Sequence, residues 1–170
     1  MIVAETKRLL LSKVTLEDAP LFLKIMNTPE WLEFIGDRHI YSVQDAENHL
    51  NKNILKSYDD NGFGVYKVIT KESENIPIGI TGLFNRPELE DVDIGFAFLE
   101  KYYGKGYGYE SAMEVIRMSK ELFNIKKLTA ITSPKNIASQ RLLKKLGMSF
   151  EKRIKPWEER EDLLLYTKIL

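Results

Sequence analysis

One stretch constrains the chain more than any other: Phe96-Ala97-Phe98-Leu99-Glu100-Lys101-Tyr102-Tyr103-Gly104-Lys105-Gly106-Tyr107-Gly108-Tyr109-Glu110. An apolar run ends, three glycines alternate with Lys105 and Tyr107, and a helical pattern starts at once. A strand, a glycine loop and a helix in that order expose backbone N–H groups that have no intrahelical partner, and the helix dipole adds partial positive charge there. Glycine permits the tight, partly left-handed path and lets an anion approach without a Cβ in the way. The stretch reads as a phosphate cradle.

Two common nucleotide motifs do not fit it. The dinucleotide fingerprint is G-x-G-x-x-G, whereas the spacing here is G-x-G-x-G. The nucleotide P-loop ends in Gly-Lys-Ser/Thr, whereas Gly108 is followed by Tyr109-Glu110. A plain glycine-rich turn is the bland alternative, although three alternating glycines exceed what a turn needs. An ATP- or NAD-binding protein using this loop is a further reading the residues leave open.

The 170 residues suit one domain spanning 1–170, and 44% hydrophobic with 29% charged residues mark a globular chain. Lys+Arg and Asp+Glu both number 25, so no net charge draws the chain to nucleic acid or to an anionic membrane. The absence of cysteine excludes disulfides, cysteine-based metal sites and a cysteine nucleophile. No apolar run approaches the roughly 18 residues of a membrane span, and Met1-Ile2-Val3-Ala4 runs straight into charged residues. A cytoplasmic location is the expectation.

Thr6 to Val14 is expected as a first strand, and Thr15-Leu16-Glu17-Asp18 as a helix start with its acid three residues on. Leu16, Leu21, Phe22, Ile25 and Met26 follow at helical spacing until Asn27-Thr28-Pro29 breaks it. Trp31 to Ile40 is ambiguous. Ser42 opens a helix to about Tyr58, striped by Val43, Ala46, His49, Leu50 and Ile54. Strands are expected over 63–70, 76–84 and 91–99, with a polar hairpin turn over 71–75. Beyond the cradle, Ala112, Val115, Ile116, Ser119, Leu122 and Phe123 mark the buried face of a helix. A strand over 127–132, a helix capped by Asn136 and closed by Gly147, and strands over 148–154 and 163–169 complete the chain. The order implies an α+β fold in which a central mixed, mainly antiparallel sheet is flanked by helices.

This order, with these residues, resembles the GNAT acyl-CoA N-acyltransferase fold, and within it the branch of ribosomal-protein N-terminal acetyltransferases. Tyr103-Gly104-Lys105-Gly106-Tyr107-Gly108 is similar to the family's acetyl-CoA loop, Q/R-x-x-G-x-G/A, with Tyr103 in place of Gln or Arg. Asp93-Ile94-Gly95-Phe96 resembles the branch's Glu-Ile-Gly-Tyr, and Asn136 to Met148 resembles its N-x-x-S-x-x-L-L-x-K-x-G-[FM] motif. Glu5-Thr6-Lys7-Arg8-Leu9 is similar to its opening strand.

The resemblance implies an acetyl-CoA-dependent N-acetyltransferase in which a substrate amine attacks the thioester directly. It implies that amides of Gly104, Lys105, Gly106, Tyr107, Gly108 and Tyr109 bind the coenzyme A pyrophosphate without a metal. The strand before the loop bulges in the family, which would free the Phe98 N–H for the thioester carbonyl, with Leu99 lining the pantetheine arm. Asn136 would contact the pantetheine or simply cap its helix; Ser139, one turn on, would face the cofactor, assist the leaving thiolate, or merely pack. Lys145, with Lys144, would reach the 3′-phosphate or lie on a solvated face. The position at which many relatives carry a tyrosine acid is Leu143, which excludes that group here. Asp93 is the candidate base, directly or through water, if a neighbour or burial raises its pKa. Its alternative is an ordinary carboxylate in the run Glu88, Glu90, Asp91, Asp93. His39 and His49 suggest no metal site. The acceptor is an amine, of a small molecule or a protein N-terminus, and Trp31 to Ile40 would shape its pocket. The exposed closing strands offer a surface for a homodimer. The second reading is an acyl-CoA-binding sensor or interaction module without turnover.

Overall fold

The computed structural model describes residues 1–72 and 74–170. Eight strands form one sheet: β1 (Ile2–Glu5), β2 (Leu9–Lys13), β3 (Val65–Thr70), β4 (Pro77–Phe84), β5 (Asp93–Phe98), β6 (Lys127–Thr132), β7 (Ser149–Ile154) and β8 (Leu163–Ile169). Their spatial order is β1-β2-β3-β4-β5-β6-β8-β7. Every neighbouring pair is antiparallel except β5 with β6. The helices are α1 (Ala19–Ile25), α2 (Pro29–Phe34), α3 (Val43–His49), α4 (Lys56–Asn61), α5 (Tyr107–Glu121) and α6 (Ile137–Lys145). A π-helical turn, Leu50–Leu55, joins α3 to α4.

The expected alternation of elements is present, with differences that have local causes. The strand expected over 6–14 is β2 alone, with 6–8 outside it, and Ile2–Glu5, a run too short to read alone, adds an edge strand that folds back on β2. Within the ambiguous segment, Pro29 starts α2 and the Thr28 hydroxyl accepts from the Trp31 N–H at 3.3 Å. The α3 stripe runs on through the π-helical turn into α4, which ends where Gly62 turns left-handed at φ 76°. Leu16, Val43 and Leu122, placed on buried stripes by spacing, are exposed. Leu122 lies just past the end of α5, where the helical register no longer holds it inward. The expected 71–75 turn includes residue 73, outside the described residues.

Two apolar layers sandwich the sheet. On one face, Ala112, Val115, Ile116 and Met118 of α5 pack with Leu83, Ile94, Leu128 and Ala130. On the other, Phe22, Ile25, Ala46, Leu50 and Ile54 pack with Val65 and Ile80. Two glycines set how closely strands approach. At Gly79 a Cβ would fall 2.4 Å from the Phe98 ring, so the ring lies directly on the β4 backbone. At Gly82 a Cβ would fall 2.3 Å from the Gly64 carbonyl oxygen and 2.5 Å from Val65 Cα.

Backbone cannot give way there as a side chain could, so Gly82→Ala should destabilise the fold by about 2–3 kcal/mol. A thermal melt should show a midpoint several degrees below wild type. An unchanged melting temperature would show that β3 and β4 separate without penalty.

Candidate active site

The sheet is built as two parts joined at one point. All six residues of β6, Lys127 to Thr132, pair with β8, yet β6 pairs with β5 only at Asp93↔Thr129. The two strands run parallel from that bridge and part. Leu99 N–H donates to Ile78 O at 3.0 Å, so antiparallel alternation turns the backbone groups of Ala97 and Leu99 toward β4. Those of Phe96 and Phe98 therefore face the other way, toward β6, where the ladder has ended. A continuing parallel ladder would have set the Ile131 carbonyl against Phe96. The result is a slot edged by unpaired strand amides.

The bulge expected in β5 is absent from its ladder with β4, which runs from Gly79↔Phe98 to Phe84↔Asp93 without a register shift. Splaying, not bulging, frees the Phe98 N–H. It also frees that of Phe96, which the sequence reading did not single out.

At the open end of the slot, Gly104 at φ 70° and Gly106 at φ 81° are left-handed, and Gly106 caps α5. Among the described residues, the six successive amides from Gly104 to Tyr109 find no acceptor; the first intrahelical bond is Glu110 N–H to Gly106 O, 3.0 Å. No Cβ or side chain fills the space beside Gly104. The rear of the loop is braced by a partner distant in sequence. The Glu110 carboxylate accepts from Thr6 Oγ1 at 2.7 Å, Arg8 N–H at 2.8 Å and Arg8 Nε at 2.7 Å. Arg8 also donates to Lys105 O at 2.9 Å and lies 4.6 Å over the Tyr107 ring. Tyr107 in turn donates to Glu72. Burial and then the neighbouring Glu30 of α2 push the Tyr103 phenol up to about 12.

The other expected residues are placed as follows. Phe98 is buried between Gly79 and Gly108, and Leu99 is half-buried against the α1–α3 layer. Asn136 caps α6, its Oδ1 accepting from Ser139 N–H at 3.1 Å, while its Nδ2 donates to nothing among the described residues. Ser139 is half-buried and its hydroxyl is likewise free among them. The exposed Lys145 ammonium lies 4.4 Å over the Tyr109 ring, which brings it to the cradle; Lys105 lies 5.7 Å over Tyr102. Asp93, 1% exposed, accepts from Arg86 Nε at 3.0 Å. Burial pushes its carboxyl up to about 6 against the opposing pull of Arg86. The Arg86 pairing gave no signal in the sequence, since the two residues lie on either side of a loop. His39 is exposed; burial and Arg38 lower the pKa of His49, on α3. No group of three or more His, Asp or Glu side chains is placed to hold a metal ion among the described residues. Surface depressions lined by Pro134, Lys135 and Arg153, and by Glu88, Asp91 and Lys127, hold none of the cradle residues.

A mixed sheet that parts beside a glycine cradle defines the acyl-CoA N-acyltransferase class of folds. The acetyltransferase (GNAT) domain model matches residues 8–149, and the chain belongs to that family of acetyltransferases. It is 27% identical over 146 residues to the uncharacterized N-acetyltransferase YnaD of Bacillus subtilis, covering 86% of this chain and 82% of that one. An acetyltransferase from Agrobacterium tumefaciens superposes with a TM-score of 0.82 at 23% identity, over 98% of this chain and 94% of that one. RimL, a ribosomal alpha-N-protein acetyltransferase in complex with coenzyme A, superposes with a TM-score of 0.84 at 17% identity, over 100% and 98%. At that identity the likeness carries the fold and not a branch within the family. No helix among the described residues is long and apolar enough to cross a membrane.

The Glu110 brace has a pH signature. Burial works against its charge, but the bonds from Thr6 and Arg8 outweigh it and hold its carboxyl below the usual range. A lowered acid contributes its stability above the unfolded value and loses it as pH falls through the folded one. Glu110→Gln should therefore be less stable than wild type by about 1–3 kcal/mol at neutral pH, and the gap should narrow near about pH 3. Urea unfolding at both pH values checks this; a gap that stays constant would remove the charge from the account.

Proposed function

We propose that the chain is an acetyl-CoA-dependent N-acetyltransferase that acts on a primary amine by direct attack in a ternary complex. The observation that carries this reading is the run of six acceptor-free amides, Gly104 to Tyr109, at the mouth of a slot edged by the Phe96 and Phe98 amides. Acetyl-CoA supplies the thioester-bound acetyl group, together with a pyrophosphate whose charge suits such a cradle.

The chain's residues then divide the work. Gly104, Lys105, Gly106, Tyr107, Gly108 and Tyr109 hold the pyrophosphate by backbone N–H, and Lys145 stands beside them for a further phosphate. Asn136 Nδ2 and Ser139 Oγ border the pantetheine arm, opposite Leu99. Asp93 lies three residues before Phe96, about 10 Å along the strand, and about 17 Å before Phe98. A base at Asp93 therefore works with the Phe96 N–H as oxyanion donor, through one water, while Phe98 N–H serves the arm further out. Attack forms the C–N bond and breaks the C–S bond; one amine proton passes toward Asp93, and the sulfur leaves as thiolate. With an ordinary pKa near 8.5 that thiolate needs no strong acid.

The acceptor is a small-molecule amine or a protein N-terminus, and the homodimer proposed on the closing strands would use β7, the strand at one edge of the sheet. An acyl-CoA sensor without turnover is the competing reading.

Calorimetry with acetyl-CoA, ATP and NAD, followed by thiol release in the presence of amines, tests the proposal. Acetyl-CoA alone should bind, and Gly106→Val, which forces a β-branched residue into a left-handed site, should weaken it more than about tenfold. Binding without thiol release on any amine would favour the sensor; binding of ATP or NAD instead would overturn both.

The pH profile is a separate test. A base must be ionised to act, so kcat/KM should rise with pH through an apparent pKa of about 6 and level off above it. Asp93→Asn should lose that limb and about 10²–10⁴ of the rate; an unaltered limb would exclude Asp93 as the base.

A further inference from the structure

Three arginines from three separate segments gather near Asp93 and Trp157. Arg86, in the loop after β4, holds Asp93 and lies 4.5 Å over the Phe84 ring and 5.7 Å from the Trp157 ring. Arg160, in the turn between β7 and β8, lies 5.0 Å over the same Trp157 ring. Arg38 comes from the loop between α2 and α3. The residue is exposed; partial burial of its guanidinium, then the charges of Arg160 and Arg86, lower its pKa to about 10.

Only Arg86 of the three has a carboxylate partner among the described residues. Asp37, adjacent to Arg38 in sequence, is already spent within its own loop, accepting from His39 N–H at 2.7 Å and from Tyr41 OH at 2.5 Å. Glu161, next to Arg160, lies 3.8 Å from Lys135 instead; Glu158 and Glu159 are exposed on the same turn. The loop that carries Arg38 is held in place, because Asn27 Nδ2 on the far side of α1 donates both to Ile40 O at 2.7 Å and to Leu23 O at 2.8 Å. One more donor waits on this side of the sheet. The Trp31 Nε1–H of α2 is buried without a partner, and its ring packs on the layer that includes Phe84, Ala97 and Leu99.

Two guanidiniums beside one indole, of which Arg160 has no carboxylate partner among the described residues, with Arg38 held near them by a fixed loop, make a positive field that an anion relieves. We infer that the acceptor is a small-molecule amine that also carries a carboxylate, which docks on Arg38 and Arg160 while the amine is turned toward Asp93. This rests on the acetyltransferase reading. The guanidinium fork suits a planar carboxylate, and the same field repels a second ammonium group, so polyamines are poor acceptors.

The test measures acetyl transfer to paired acceptors: amino acids, their methyl esters, spermidine, and short peptides with acidic or neutral residues after a free N-terminus. Amino acids should exceed their esters and spermidine by at least tenfold in kcat/KM. Arg38→Gln and Arg160→Gln should each erase most of that ratio while leaving the ester rate within about twofold, and Arg38→Lys should keep part of it. Circular dichroism melts identify a variant that fails to fold, and the other variant then decides. Spermidine or esters acetylated as fast as free amino acids, or a ratio unmoved in a folded Arg→Gln variant, would overturn the inference and leave the acetyltransferase reading standing. A strong preference for acidic peptides would transfer the anion site to a protein N-terminus and overturn the small-molecule assignment. Acetyl-CoA binding without transfer to any acceptor would remove both.

Discussion

The single bridge between Asp93 and Thr129 is the constraint from which the rest of the architecture follows. Backbone N–H and C=O groups away from water need partners, and a parallel ladder is the ordinary way to give them. Here β6 spends its other edge entirely on β8 and releases β5 after one bridge. What remains is an opening whose polar edge, at Phe96 and Phe98, is made of fixed dipoles rather than mobile side chains. Such donors need no reorganisation when charge develops beside them, which is why a broken ladder is a more useful device for polarising a carbonyl than an extended one.

The cradle poses the same problem at a helix end. Six unpaired amides and two left-handed glycines would leave a loop free to rearrange, and an anion would then have to order it on binding. The brace from Thr6 and Arg8 to Glu110 supplies the missing rigidity from behind, leaving the amides clear in front. The N-terminal hairpin thereby becomes part of the support of the cradle. Glu110 stands in the first turn of α5, where a negative charge is also favoured by the helix dipole, so one carboxylate serves the helix, the hairpin and the loop.

Signals within a few residues of each other were legible in the chain. The glycine spacing located the cradle, Pro134 with Asn136 located the α6 cap, and local pattern located seven of the eight strands. Ile2–Glu5 escaped because an edge strand of four residues, with Ile2 57% exposed, carries no alternation to read. The β5–β6 separation could not be read because splaying depends on which strand each edge chooses, a choice made in three dimensions. The same holds for Arg8 with Glu110, 102 residues apart, and for the arginines of the acceptor wall, which come from three loops. Family resemblance pointed to a bulge where the register shows none, because both devices free the same N–H and differ only in which neighbour moves.

Asp93 is the residue that would join the inferred acceptor wall and the slot in one site. A carboxylate beside an arginine ordinarily has its pKa depressed, and a pair kept for stability alone would sit firmly ionised. At 1% exposure, burial outweighs Arg86 and leaves the carboxyl near 6, where its proton is exchangeable under ordinary conditions. Arg86 is shared, since its guanidinium also stacks on Phe84 and approaches Trp157. The same residue would therefore restrain the proposed base and border the anion site inferred at Arg38 and Arg160. An anion drawn in there would further offset the positive field that holds Asp93 ionised and so raise its proton affinity. On the proposed reading, acceptor charge and base strength would be coupled through Arg86, so that an acceptor bearing an anion would strengthen the group proposed to take its proton.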